Sequence, residues 1–218
     1  MCCVLKKKGM ESPDLHTGAP APCIAAIVLA AGQSTRAGAT NKLLAPIDGV
    51  PMVVLVVDRI MESGASPIIV VTGNQGDHVR AALVNSGVTF AHNADFAQGM
   101  AGSIRTGIEA LPGDMEAALI CLGDMPAIEA AEVDRLIAGF NVEDGAAICV
   151  PVAEGRRGNP VLFARRFFPE LIALQGDSGA KAVIAAHGDL VAEIPMTGSG
   201  TLVDLDTKAE IAEFTSSD

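Results

Sequence analysis

Short apolar runs recur along this chain, and each gives way to a segment whose apolar positions return every three or four residues. Cys23–Ala30, Pro67–Thr72, Gly87–Ala91, Ala117–Leu122 and Ala146–Val150 are nearly continuous in apolar character. That is the pattern of strands buried on both faces of a parallel sheet. Between them Met52, Val53, Val56, Val57, Ile60 and Met61 repeat at helical spacing, as do Met100, Ile104 and Ile108. Gly64 is expected to end the first helix, Met100 to belong to the core stripe of the second, and a further helix is expected over Ala127–Phe140. The alternation predicts an α/β fold, three-layered and Rossmann-like, on a mostly parallel sheet.

Beyond residue 151 the rhythm loosens. Arg156-Arg157-Gly158-Asn159-Pro160 precedes a short strand, two helical segments follow, and late strands are expected near Leu190–Ile194 and Thr201–Val203. No repeat or linker interrupts the sequence, so residues 23–218 read as one domain. Residues 1–22 lack periodicity and the apolar centre of a signal peptide, and read as a loose extension.

Composition narrows the functions open to such a domain. Half of the 218 residues are apolar, so a core forms, but with seven Phe, no Trp and no Tyr it is built from aliphatic side chains. A formal charge of −11 repels a polyanion at long range and argues against nucleic-acid binding. A small anion held by local dipoles and one or two cations remains compatible with it. The five cysteines form no metal-ligand array, and Cys121 and Cys149 sit in apolar runs, as expected of a reduced, cytoplasmic protein. His16, His78, His92 and His187 share no ligand spacing. No apolar run reaches the roughly 18 residues of a membrane span.

The first strand carries the strongest chemical signal. It runs out through Leu29-Ala30-Ala31-Gly32 into Gln33-Ser34-Thr35-Arg36, with Lys42 a few residues on. A strand that ends in small residues and a glycine exposes backbone N–H groups at the carboxyl edge of a sheet, where open α/β folds bind ligands. Arg36 can fork onto phosphate oxygens and Lys42 offers a compact charge, a pair suited to a triphosphate. The spacing matches neither the dinucleotide fingerprint nor the P-loop, and an ordinary glycine-bearing turn with solvated cations is the competing reading.

Leu29-Ala30-Ala31-Gly32-x-Ser34-x-Arg36-x-Gly38-x-x-x-Lys42 resembles the signature loop of nucleotidyltransferases with the glycosyltransferase-A-like fold, the group that includes the MobA-like NTP transferases. Asn93-x-x-Phe96-x-x-Gly99-Met100-x-x-Ser103-Ile104, Leu122-Gly123-Asp124-Met125-Pro126, Gly158-Asn159-Pro160, Gly176-Asp177-x-Gly179 and Asp204-Leu205-Asp206-Thr207 follow in order. Together they resemble the molybdenum cofactor cytidylyltransferase branch, over about residues 24–214. Ala37 departs from the family's larger residue there, and Asn159 stands where many relatives carry His, which leaves the acceptor open.

The resemblance implies roles residue by residue. Leu29 through Ser34, with Arg36, Lys42, Asn93, Gly99 and Ser103, would bind the nucleotide, and Arg36, Lys42 and Asp124 would be catalytic. Asp124 and Asp206 would hold Mg²⁺, which commonly takes one or two carboxylates plus phosphates and waters. Each has a competing role: Asp124 as a helix N-terminal carboxylate, and Asp206, or Thr207 beside it, as an N-cap. Gly158, Asn159, Pro160, Gly176, Asp177 and Gly179 would meet the acceptor, although all are ordinary turn residues.

The implied reaction moves CMP from CTP to a molybdopterin-type phosphate, releasing pyrophosphate, with a molybdenum hydroxylase as recipient of the product. GTP-dependent transfer to the same acceptor, or CTP-dependent transfer to a sugar or polyol phosphate, keeps the chemistry and changes the substrates. A protein that binds and delivers the molybdenum cofactor without turnover is the alternative of another class.

Overall fold

The central strand β1 (Ile24–Ala30) alternates its side chains between two cores, and the rest of the fold is arranged around that alternation. The computed structural model describes residues 22–32, 41–177 and 179–216. A small hairpin, β2 (Pro46–Ile47) and β3 (Val50–Pro51), leads into α1 (Met52–Met61). Then come β4 (Ile68–Thr72), α2 (Gly76–Ala82), β5 (Thr89–His92), α3 (Met100–Glu109), β6 (Ala117–Leu122) and α4 (Ala130–Ala138). The chain continues through β7 (Ile148–Ala153), β8 (Arg156–Arg157), β9 (Val161–Ala164), α5 (Phe168–Ile172), α6 (Lys181–Ala186), β10 (Val191–Pro195) and α7 (Lys208–Ser216).

The main sheet runs β10-β7-β9-β6-β1-β4-β5, with β8 paired to the end of β7 on the side away from β10. All pairings except those of β8 and β9 are parallel. Ala26 and Val28 face α1 and α4, packing with Met52, Val56, Ile60, Val133 and Leu136. Ile27 faces the opposite layer, with Ile104 and Ile108 of α3, Leu171 of α5 and Val183 of α6. This is the three-layer, mostly parallel α/β architecture that the hydrophobic pattern predicts. A Cβ on Gly107 would lie 2.3 Å from Ile27 Cγ2, so glycine lets α3 lie directly on the sheet.

The other expected strands are present with ends shifted by at most three residues, Ala117–Leu122 without any shift, and two local expectations fail. Thr201–Val203 is not a strand: Gly200–Leu202 forms a 3-10 turn. The first helix ends at Met61 with Glu62 as its cap, before Gly64, whose N–H instead reaches Asp134 Oδ1 at 2.8 Å. Cys121 and Cys149 are core residues. Burial pushes the Cys149 thiol up to about 11 and Cys121 higher, so neither is a thiolate at neutral pH.

Beneath the 3-10 turn at Gly200 lies Glu132, a carboxylate only 4 % exposed. Its Oε2 accepts the Glu129 N–H, while Oε1 is buried with no partner among the described residues. Burial pushes its pKa above the usual 4.5, the charge of Glu129 adds to this, and the Glu129 N–H and Arg135 oppose it. The sign follows: a carboxyl whose folded pKa is raised favours the fold while protonated and loses stability as pH rises past its unfolded value. Glu132→Gln keeps the acceptor for Glu129 and removes the charge. It is expected to exceed wild type by about 1 kcal/mol at pH 7, with the difference shrinking toward pH 4, in urea unfolding at both pH values. A variant no more stable than wild type at pH 7 would sink this account of Glu132.

Candidate active site

β1 and β6 pair in parallel with Leu29 beside Leu122, so the chain leaves both strands at the same level. The Gly123 N–H extends the ladder to Leu29 O at 3.1 Å, and a Cβ there would come within 2.9 Å of that oxygen. Ala31-Gly32 and Gly123-Asp124 therefore emerge side by side at the carboxyl edge.

Lys42 closes this edge. Its Nζ donates to Asp124 Oδ2 at 2.6 Å and to Asp206 Oδ1 at 2.5 Å, joining residues 82 and 164 positions away in sequence. Side-chain exposures of 13 % for Lys42, 19 % for Asp124 and 32 % for Asp206 put the group well inside the surface. Burial pulls the ammonium's pKa down, but the charges and hydrogen bonds of Asp124 and Asp206 outweigh it and hold Lys42 above its ordinary 10.5. The backbone beneath Lys42 is pinned by Asn41, a fully buried amide. Asn41 Oδ1 accepts the Leu43 N–H at 3.1 Å, and its Nδ2 donates to Asn74 O at 3.2 Å.

Neither carboxylate caps a helix. At the start of α7, Thr207 Oγ1 accepts the Glu210 N–H, and the Glu210 carboxylate accepts the N–H groups of Asp206 and Thr207. The α4 terminus is served by Glu129 and Glu132. Asp124 Oδ1 is buried without a partner among the described residues. That orphaned oxygen and the neighbouring Asp206 fit a hard divalent cation. Among the described residues no cluster of three or more acidic, His or Cys side chains could hold a metal, so phosphates and water would complete its shell.

Two adjoining cavities open along this edge. One, of about 380 Å³, is lined by Leu29, Ala31, Gly32, Phe96, Ala97, Gly99, Met100, Ser103, Leu122, Asp124 and Asp177. The other, of about 410 Å³, has Gly158, Asn159 and Gly179 on its walls, an apolar floor that includes Ile104, Ile120, Met125 and Ile184, and Arg156, Arg157 and Lys181 as cations. Met100, Leu122 and Asp177 belong to both.

The sequence-predicted residues divide accordingly. Gln33, Ser34 and Arg36 lie outside the described residues. Ala30 is buried in the core rather than facing a cavity. Asn93 does not reach the first cavity: its Nδ2 donates to Ser103 Oγ and its Oδ1 accepts the Asp95 N–H, so it holds Ser103 in place. Pro160 and Gly176 line neither cavity. Met100, expected in the core, is 41 % exposed and faces both. Sequence reasoning missed Phe96, Arg156, Arg157 and Lys181 as wall residues; the paired arginines before Gly158 in an acidic chain were the available signal.

Gly176 and Asp177, assigned to the acceptor side, fold against the start of α3. Gly176 O accepts the Ala101 N–H at 3.1 Å, and Asp177 Oδ1 accepts the Met100 N–H at 3.3 Å. Gly99 has φ 111°, and a Cβ there would lie 2.6 Å from both Gly176 O and Asp177 Oδ1. Gly99→Ala is expected to lose about 2 kcal/mol from strain and overlap. Urea unfolding of the purified variant reads this directly, and an unchanged midpoint would mean that the contact is slack.

The MobA-like NTP transferase domain matches residues 26–191. The bifunctional protein GlmU of Sorangium cellulosum is 31 % identical over 180 residues, 80 % of this chain and 36 % of that one. The chain spans about a third of the length of the curated relatives it matches. Rv0371c from Mycobacterium tuberculosis H37Rv has 28 % identity and a TM-score of 0.78, over 90 % of this chain and all of that one. A second structure of it, in complex with manganese, gives 27 % and 0.76, covering 89 % and 99 %. The ends of β1 and β6 that shape the first cavity lie inside the matched span, and on that span the chain belongs to the MobA-like NTP transferase domain family, a family of nucleotidyltransferases.

Proposed function

We propose that this chain is a Mg²⁺-dependent cytidylyltransferase that moves CMP from CTP onto the terminal phosphate of a molybdopterin-type acceptor, with a molybdenum hydroxylase as recipient. The observation that carries the reading is the convergence of Lys42, Asp124 and Asp206 beside the first of two adjoining cavities. The first would take the nucleotide and the second the acceptor. That Rv0371c forms a complex with manganese supports a divalent ion in this reading.

In this reading an acceptor phosphate oxygen attacks the α-phosphorus, the new P–O bond forms, and the bond to the β-phosphate breaks to release pyrophosphate. The attacking phosphate is already ionised at neutral pH, so no general base is needed. The protein contributes position and charge. Gly32 and the loop through Arg36 hold the β- and γ-phosphates, and Lys42 offsets charge that develops on the α-phosphoryl group. Asp124 and Asp206 would hold the metal, which when bound supplies positive charge to the transferring group.

The lining of the second cavity sets aliphatic and thioether side chains beside polar Asn159, Asp177, Thr201 and Asp204, so an acceptor with both an apolar face and hydrogen-bonding groups finds partners there. The cations at Arg156, Arg157 and Lys181 suit the anionic end of a phosphate acceptor.

Thermal unfolding with Mg²⁺ and each ribonucleoside triphosphate tests the donor. CTP at a hundred times its Kd is expected to add about 2.7 kcal/mol. A shift with GTP alone would keep the chemistry and change the product, and no shift with any triphosphate would bring forward the non-catalytic delivery protein. With the acceptor in hand, Lys42→Ala is expected to lower kcat by about a hundredfold or more. Turnover at the wild-type rate would remove Lys42 from the mechanism.

A further inference from the structure

The Lys42 ammonium occupies the point at which the two carboxylates converge. One oxygen of Asp124 and one of Asp206 lie within 2.6 Å of Nζ. A divalent ion ligated by both groups would need much the same place, and an ammonium a few ångströms from a divalent ion is strongly repelled where water is scarce. Without some cation there, two carboxylates of like charge would face one point at close range, an unfavourable arrangement.

Lys42 is also built to leave. Its backbone is held by the Asn41 amide, but its four-carbon stem can turn about its own bonds. A triphosphate in the adjoining cavity brings several anionic oxygens, a stronger set of acceptors than two carboxylate atoms. We propose that Lys42 is the resident counter-ion of Asp124 and Asp206 and holds their shared binding point until a triphosphate draws its ammonium away, so that a divalent ion enters with the nucleotide and not before it. This rests on reading the two carboxylates as the metal's ligands.

The probe is Mn²⁺ alone, added to the full chain without nucleotide, with free ion counted by its electron paramagnetic resonance signal. Lys42→Met is expected to bind Mn²⁺ at least about tenfold more tightly than wild type. That gain is expected to vanish in the double variant Lys42→Met/Asp124→Asn. Should Lys42→Met fail to fold, Lys42→Gln, which removes the charge and keeps a hydrogen-bonding head, is read in the same way. Equal affinity in wild type and charge-free variants would overturn the proposal, as would a gain that survives Asp124→Asn. Wild type is a test by itself, since tight saturation with Mn²⁺ before any nucleotide is added would also overturn it. The outcome is separable from the proposed function, because these titrations need no triphosphate. A protein that ignores every nucleotide yet gains Mn²⁺ affinity on losing Lys42 would uphold Lys42 as the resident counter-ion and refute both its release by a triphosphate and that reading.

Discussion

The register of β1 against β6 is the constraint on which the candidate site depends. With Leu29 opposite Leu122, the chain turns out of both strands at the same height, and Gly32 and Asp124 face one opening. A slip of one residue would exchange the faces of every side chain in β1, moving Ile27 into the layer of α1 and Val28 into that of α3. Both faces of β1 are buried, so such a slip is penalised twice. Gly123 lengthens the ladder by one hydrogen bond where any side chain would meet a carbonyl, which delivers Asp124 at the mouth of the sheet.

From that fixed edge the ion pairs reach outward. Asp124 comes from the sheet, Lys42 from a turn braced by Asn41, and Asp206 from the approach to the last helix. The Thr207–Glu210 capping arrangement has a consequence at this distance. It satisfies the start of α7 without Asp206, whose carboxylate is then directed to Lys42. A chain with a formal charge of −11 thus spends one of its few cations where two carboxylates meet. Separately each carboxylate would favour solvent; around a shared ammonium they tolerate partial burial.

The sequence was most informative where a residue's burden is local. Strands buried on both faces must be apolar throughout, so β1, β4 and β6 were legible to within a residue or so. Thr201–Val203 is just as β-prone, but Glu132 and the Ala127 carbonyl crowd Gly200 and the segment turns. Met100 fits the helical stripe of Ile104 and Ile108, yet its place at the first position of α3 leaves it beside the cavities rather than beneath the helix. Lys42, Asp124 and Asp206 were each legible as polar residues at strand ends. That one ammonium would bridge both carboxylates was not, because the contact joins segments separated by 82 and 164 residues. Gly176 and Asp177 show the same limit: their turn chemistry is local, and their contact with α3 is tertiary.

That contact bears on how the two cavities can act together. A helix start usually offers unpaired N–H groups to a ligand. Here the N–H groups of Met100 and Ala101 are taken by Asp177 and Gly176, and the side chains of Ser103 and Phe96 line the cavity beside them. The loop that takes them also carries Asp177 and Gly179 into the second cavity. Arg105 ties the approach to that loop back to α3 through the carbonyls of Ile172 and Leu174. The wall between the cavities is therefore one braced piece. Under the proposed function, discrimination among acceptors would have a structural route to the nucleotide side that needs no movement of the sheet.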